Sequence, residues 1–198
     1  MSDSAAPNRP IVVPGERIYL SHVLRSDLPQ FAKWFADLEL TAYIGGSGHS
    51  FMIEHEERWF DQVVAGDNLK TFAIVRREDD SVIGSVSLQS IDYRNGTAEL
   101  GIAIGDKGAW NKGYGQEAVR LMTDFGLTFC GLHTIYLWLV AFNERAQRAY
   151  LKAGYKEAGR IRQFYNVNGK RYDRILMDCT REDLGPSKLI HLISQIEA

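Results

Sequence analysis

Apolar and polar positions recur along the chain in two periods, and the change from one to the other marks its elements. Over Arg17–Leu24, Ile18, Leu20 and Leu24 share a face, which predicts an opening strand. Phe31, Trp34, Phe35 and Leu38 then recur at helical spacing, with Asp27 placed to cap that helix and Pro29 tolerated in its first turn. A second helix is predicted over Ser50–Ala65, turning Trp59, Phe60, Val63 and Val64 inward. Thr71–Arg76 and Ser81–Ser90 read as antiparallel strands, and Asn95-Gly96 signals a hairpin into the next one. There Ala98, Leu100, Ile102 and Ile104 alternate with Glu99, Gly101 and Ala103, which sets Glu99 on the face opposite the apolar layer.

A polar loop over Gly105–Gly113 leads to a helix whose stripe is Ala118, Leu121, Met122, Phe125 and Phe129. Thr134–Phe142 is apolar on both faces, as suits a central strand covered on each side. Strand, crossover helix and strand make a right-handed parallel unit. Asn143 is a good cap for the following helix and Gly154 is placed to end it. Tyr155–Tyr165 and Lys170–Cys179 form a last hairpin about Asn168-Gly169. Leu189, Leu192, Ile193 and Ile196 predict an amphipathic helix within 183–198, too short to stand alone, that docks on its own domain or on a partner subunit. Met1–Pro14 has neither period and is expected as a leader. The expectation is one α/β domain over 15–182 with a mixed sheet flanked by helices.

Composition narrows the functions. A chain of 198 residues, 45% hydrophobic and 24% charged, has an ordinary globular make-up and is long enough for one sizeable core. A net charge of −2 gives no overall electrostatic case for nucleic acid or an anionic membrane. No apolar run approaches transmembrane length, and no signal peptide is visible. Cys130 and Cys179 have no metal-ligand spacing, and the five histidines are scattered, so a metal site is not expected. Free thiols in a reducing cytoplasm are the expected state.

The richest chemistry lies between the strand ending at Ile104 and the helix after Gly113. Lys112, Gly113 and Gly115 stand at that helix's N-terminus, where unpaired N–H groups, the helix dipole and the lack of a Cβ favour a phosphate. A glycine-softened connection would look the same. Gly113-Tyr-Gly115-Gln-Glu-Ala118 formally fits the dinucleotide pattern G-x-G-x-x-A. That pattern belongs in a tight turn after a strand, with an acid roughly 20 residues on. Here the loop is long, and Ile135–Phe142 holds no acid. A nicotinamide oxidoreductase is therefore disfavoured.

Trp110-Asn-Lys112-Gly113-Tyr114-Gly115 with its helix, followed by Asn143-Glu-Arg-Ala146 and Tyr150-Leu-Lys-Ala-Gly154-Tyr155, resembles the two coenzyme A segments of the GNAT N-acetyltransferase superfamily. The resemblance covers roughly residues 16 to 180 and is strongest to its ribosomal-protein N-terminal and spermidine acetyltransferase branch. Trp110 stands where many members have Gln or Arg. The resemblance implies an N-acetyltransferase with acetyl-coenzyme A as cosubstrate. It also implies an antiparallel meander followed by a splayed central parallel pair that admits the pantetheine arm. Lys112, Gly113, Tyr114, Gly115 and Gln116 would cradle the pyrophosphate, and backbone of Ile102, Ala103 and Ile104 would pair with the arm. Asn143 and Ala146 belong to the second segment, though Asn143 is equally a plain helix cap.

The resemblance makes Tyr150 the acid that protonates the departing sulfur; otherwise it is an aromatic in a buried stripe with Ala146 and Ala149. Glu99 would be a base acting through water, or else an ordinary strand residue. A free Glu near pKa 4.3 and an amine near 10 make direct abstraction unfavourable without burial. Glu54, Glu56, Glu57 and Asp61 suit a helix N-terminus and could alternatively rim an amine site. Arg160, Arg162, Lys170, Arg171 and Arg174 crowd the last hairpin, some of them able to face an adenosine phosphate or an acidic acceptor. A protein N-terminus, a polyamine, an aminoglycoside and a small amino acid derivative are all open as acceptors, and this mixed charge favours a peptide N-terminus or monoamine over spermidine. A non-catalytic coenzyme A-binding module is the other alternative, and a homodimer is compatible with the sequence.

Overall fold

The computed structural model describes residues 9–46, 52–66 and 68–192. Its strands are β1 Val13–Pro14, β2 Ile18–His22, β3 Lys70–Arg76, β4 Val82–Asp92, β5 Thr97–Ile104, β6 Thr134–Val140, β7 Lys156–Val167 and β8 Lys170–Thr180. They form one sheet in the order β1-β2-β3-β4-β5-β6-β8-β7. Every pairing is antiparallel except β5 with β6. The helices are α1 Leu28–Phe35, α2 Leu38–Tyr43, α3 Ile53–Ala65, α4 Tyr114–Phe129, α5 Glu144–Ala153 and α6 Arg181–Leu184.

Strand alternation sorts the core into two layers. Ile18, Leu20, Ile74, Val86, Leu100, Ile135, Leu137 and Met177 point to one face, where α4 packs Ala118, Val119 and Met122 on them. Tyr19, Ala73 and Val75 point to the other and meet Phe31 of α1 and Trp59 and Phe60 of α3. The parallel pair is short: β5 and β6 pair only from Thr97↔Thr134 to Glu99↔Tyr136. Beyond Glu99 they part, leaving Gly101–Ile104 bonded to β4 alone. The predicted splay is present.

Several boundaries differ from expectation for identifiable reasons. The single helix expected through Leu38 breaks in two, because the Asp37 carboxylate accepts from the Glu39 and Leu40 N–H groups and starts α2 afresh. Leu38 is consequently exposed. Asp27 does not cap α1; its carboxylate accepts from Leu24 N–H and from Arg9. That Arg9–Asp27 pair, with each side chain 8% exposed, fixes part of the expected leader, and Val13–Pro14 adds an edge strand to β2. Val64 is exposed rather than inward. The expected start of the second helix at Ser50 lies outside the described residues. At the C-terminus Leu189 is buried and Ile190–Leu192 make a single 3-10 turn; Ile193 and Ile196 lie outside the described residues. The second face of β6 is less buried than expected: Tyr136 and Trp138 are half-buried, and Trp138 borders a cavity.

Candidate active site

A cavity of about 740 Å³ passes through the gap between β5 and β6. On the α4 side its mouth is the loop after β5. Gly113 adopts φ +83°, a left-handed conformation that a side chain resists, and so turns the chain into α4. The loop is braced from behind. The Glu117 carboxylate accepts from the Glu16 and Arg17 N–H groups, while the Arg17 guanidinium donates to Lys112 O at 2.8 Å and lies 5.1 Å over the Tyr114 ring. Trp110 donates its indole N–H to Ile104 O at 2.7 Å, so this residue ties the loop to the end of β5. Arg145 stacks 3.8 Å over Trp110, and Lys107 reaches Asp37 and Glu39 at 2.6 Å each. Neither Arg17 nor Arg145 was singled out by sequence; both are brought to the loop by β2 and α5, a juxtaposition that local spacing does not carry.

Of the predicted residues, Glu99, Ile102, Ala103, Ile104, Gly113, Gly115, Gln116, Asn143, Ala146 and Tyr150 line this one cavity. Lys112 and Tyr114 do not. Lys112 is exposed, and Tyr114 packs against the core beneath Arg17. Asn143 is a buried cap: its Oδ1 accepts from Ala146 N–H at 3.1 Å, and its Nδ2 donates to Tyr43 O at 3.0 Å, joining α5 to α2. Gly154, at φ +106°, ends α5 as expected.

Tyr150 borders the cavity from α5, and its hydroxyl has no hydrogen-bond partner among the described residues. Burial pushes its phenol up to about 12, so it stays protonated at neutral pH. Glu99 accepts from Gln89 Nε2 at 3.2 Å.

On the α3 side the floor is polar. The register aligns Thr71 of β3 with Ser87 of β4 and Gly101 of β5, and Gln89 with Glu99 and Tyr136. Over this floor, among Glu54, Glu56, Glu57 and Asp61, only Glu56 turns inward, 5% exposed and without an ion pair or hydrogen bond among the described residues. Its position was legible: Glu56, Trp59, Phe60 and Val63 follow i, i+3, i+4, i+7, the inward stripe itself. Desolvation raises its pKa. Thr71 Oγ1 is buried without a partner on the same cavity wall. Arg174, alone among the five basic residues of the last hairpin, also borders this cavity. The other four are exposed.

The arrangement is a passage with a helix N-terminus, whose free N–H groups suit an anion, on one face, a protonated phenol beside the seam, and carboxyl groups on the other face. No helix among the described residues is long and apolar enough to cross a membrane.

Residues 17–156 match the acetyltransferase (GNAT) domain family. A probable N-acetyltransferase, YjcK, of Bacillus subtilis is 32% identical over 148 residues, 74% of this chain and 78% of that protein. An uncharacterized N-acetyltransferase, p20, of Bacillus licheniformis is 24% identical over 160 residues, 80% of this chain and 89% of that one. The spermidine N(1)-acetyltransferase of Vibrio cholerae is 29% identical over 107 residues, 54% of this chain and 61% of that one. In fold, the chain is similar to the crystal structure of spermidine N-acetyltransferase from Vibrio cholerae in complex with CoA and spermine. The TM-score is 0.78 at 21% identity, over 86% of this chain and 99% of that one.

Proposed function

The chain belongs to the GNAT acetyltransferase family, and on that premise we propose that it moves an acetyl group from acetyl-coenzyme A directly to a primary amine, on a peptide N-terminus or a small monoamine. The observation that carries this reading is the open β5–β6 seam, which joins a phosphate-suited loop on one face to a carboxyl-bearing floor on the other within one cavity. The pyrophosphate sits against Gly113, Gly115 and Gln116 at the α4 N-terminus, where N–H groups lack intrahelical partners. The pantetheine arm runs along the unpaired edge of Gly101–Ile104, as an added strand would.

The amine nitrogen attacks the thioester carbonyl carbon, forming C–N as C–S breaks. A strand N–H at the seam donates to the developing oxyanion. Glu99, acting through water, takes the proton the nitrogen loses, and Tyr150 gives one to the departing sulfur. Thiol release from acetyl-coenzyme A, measured over peptide, amino acid, monoamine and polyamine acceptors, tests this. Binding of acetyl-coenzyme A with no thiol release from any acceptor would instead make the chain a coenzyme A-binding module.

A polyamine acceptor is the second reading, favoured by the buried Glu56, which has no ion pair or hydrogen bond among the described residues. The guanidinium of Arg174 in the same cavity opposes a polycation.

A further inference from the structure

Arg174 stands apart from the other basic residues of the last hairpin, because it alone among them borders the cavity. It lies on β8 between Asp173 and Ile175; Ile175 joins the α4-side core, so alternation turns Arg174 to the acceptor side of the sheet. Its guanidinium carbon stands 4.1 Å over the Trp138 ring and 4.9 Å from the Phe164 ring centre, held between two aromatic planes. It makes no ion pair or hydrogen bond among the described residues, and its Nε is buried without a partner. The adjacent Asp173 is committed elsewhere, accepting from Gln163 N–H at 2.9 Å and pairing with Arg160.

The buried Nε is a donor left without a partner that an anion in the cavity could supply, and the planar fork matches a carboxylate in two parallel bonds. The aromatic clamp fixes that fork in advance, reducing the freedom lost on binding. Glu99 lines the same cavity. Both groups act on the hydroxyls of Tyr136 and Tyr165: burial raises these phenols, Glu99 raises them further and Arg174 opposes it. One carboxylate and one guanidinium therefore face a shared space across β6.

Resting on the acetyltransferase reading, we propose that Arg174 is the anion-binding residue of the acceptor site, and that the acceptor is an amino carboxylate whose amine lies toward Glu99. Arg174 is a specificity residue in this scheme and takes no part in the proton transfers. The coenzyme phosphates are not its partner, because their loop opens on the opposite face of the sheet.

The test pairs amino acids with their carboxamides, with spermidine alongside, on wild type, Arg174→Met and Arg174→Lys. Met keeps the length and the aromatic packing, and Lys keeps the charge without the fork. In wild type, kcat/KM for the carboxylates should exceed that for the amides by tenfold or more. Arg174→Met should bring that ratio near one through KM, with amide turnover and acetyl-coenzyme A affinity retained, and Arg174→Lys should fall between. Should the Met variant not fold, Lys alone must still narrow the ratio. Equal use of acids and amides, a preference for spermidine, or a ratio that Arg174→Met leaves alone would overturn the inference while the acetyltransferase reading stands. If no amine releases thiol, that reading fails by itself. Calorimetry on the coenzyme A-loaded protein then decides the subsite: carboxylate binding lost in Arg174→Met supports it, and no carboxylate binding overturns it.

Discussion

Tyr150 and Tyr155 stand 6.2 Å apart, ring to ring, in different surroundings. The Tyr155 hydroxyl is buried and shares a 2.8 Å hydrogen bond with Thr123, which commits it to the core. Tyr150 borders the cavity and packs against the core, and its hydroxyl, unlike that of Tyr155, has no hydrogen-bond partner among the described residues. Tyr150→Phe should therefore leave melting temperature and acetyl-coenzyme A affinity unchanged and lower kcat by roughly 10²–10⁴ where chemistry limits the rate. Unreduced single-turnover rates in the Phe variant would return Tyr150 to a packing role. With its phenol near 12, Tyr150 should give wild type no alkaline loss of rate below pH 10. Glu56 makes the complementary case, a group that weakens the fold where it stands. Burial raises its folded pKa above the ordinary 4.5, so the folded state holds the extra proton and stability falls as pH rises from 4.5 through the folded value. Glu56→Gln should raise the melting temperature at neutral pH, with the gain vanishing below that window; thermal melts across pH 4 to 8 check it. Tyr150 and Glu99 were legible because motif and alternation place them. Arg174 was not, since alternation gives its face but not the Trp138 and Phe164 rings that await it there.

The elements were legible wherever period and punctuation agreed. The Asn95-Gly96 and Asn168-Gly169 turns and the β5–α4–β6 crossover all stand where the pattern puts them. Misreadings came where a side chain made a distant bond. Asp27 pairs with Arg9 instead of capping α1. Trp110, whose role the sequence left open, holds Ile104 O with its indole. The β6 run looked like a strand buried on both faces, because Trp138, an aromatic that borders the cavity, reads as apolar. At the phosphate loop, geometry separates two glycines. Gly113 needs its positive φ, whereas a Cβ on Gly115 meets only Ile104 Cγ1, at 3.6 Å. Gly115→Val should therefore fold and still fill the space beside the α4 N-terminus. Acetyl-coenzyme A affinity should drop more than tenfold, a loss above ~1.4 kcal/mol. Calorimetry on the folded variant reads this directly, and unchanged affinity would move the pyrophosphate elsewhere.

At the scale of the whole molecule, α4 joins two tasks that lie on different stretches of the chain. Its first turn is fixed to the residues leading into β2 through Glu117, beside the phosphate loop. Its middle holds the C-terminal segment through Asp124, which is 6% exposed. That carboxylate accepts from Arg181 at 2.9 Å, Lys188 N–H at 2.8 Å and Thr128 at 3.0 Å. Leu184 and Leu189 are buried beside it. Apolar periodicity forecast a docked helix here; among the described residues the stretch up to Leu192 docks through one acid, and the rest of that forecast lies outside the described residues. Burial alone would raise the pKa of Asp124, but the bonds from Ser187, Arg181, Lys188 and Thr128 outweigh it and lower the pKa below the ordinary 3.8. Its contribution is thus complete above that ordinary value and fades as pH falls through the depressed folded one. Asp124→Asn removes charge-assisted bonds while keeping shape, so it should cost about 2–3 kcal/mol at neutral pH. Urea melts should show the gap between wild type and variant narrowing below pH 4, and amides of residues 185–192 should exchange faster in the variant. Because Glu117 fixes the other end of α4 independently, acetyl-coenzyme A affinity should stay at the wild-type value. A parallel loss of affinity would show instead that the helix transmits the state of the C-terminal segment to the phosphate loop.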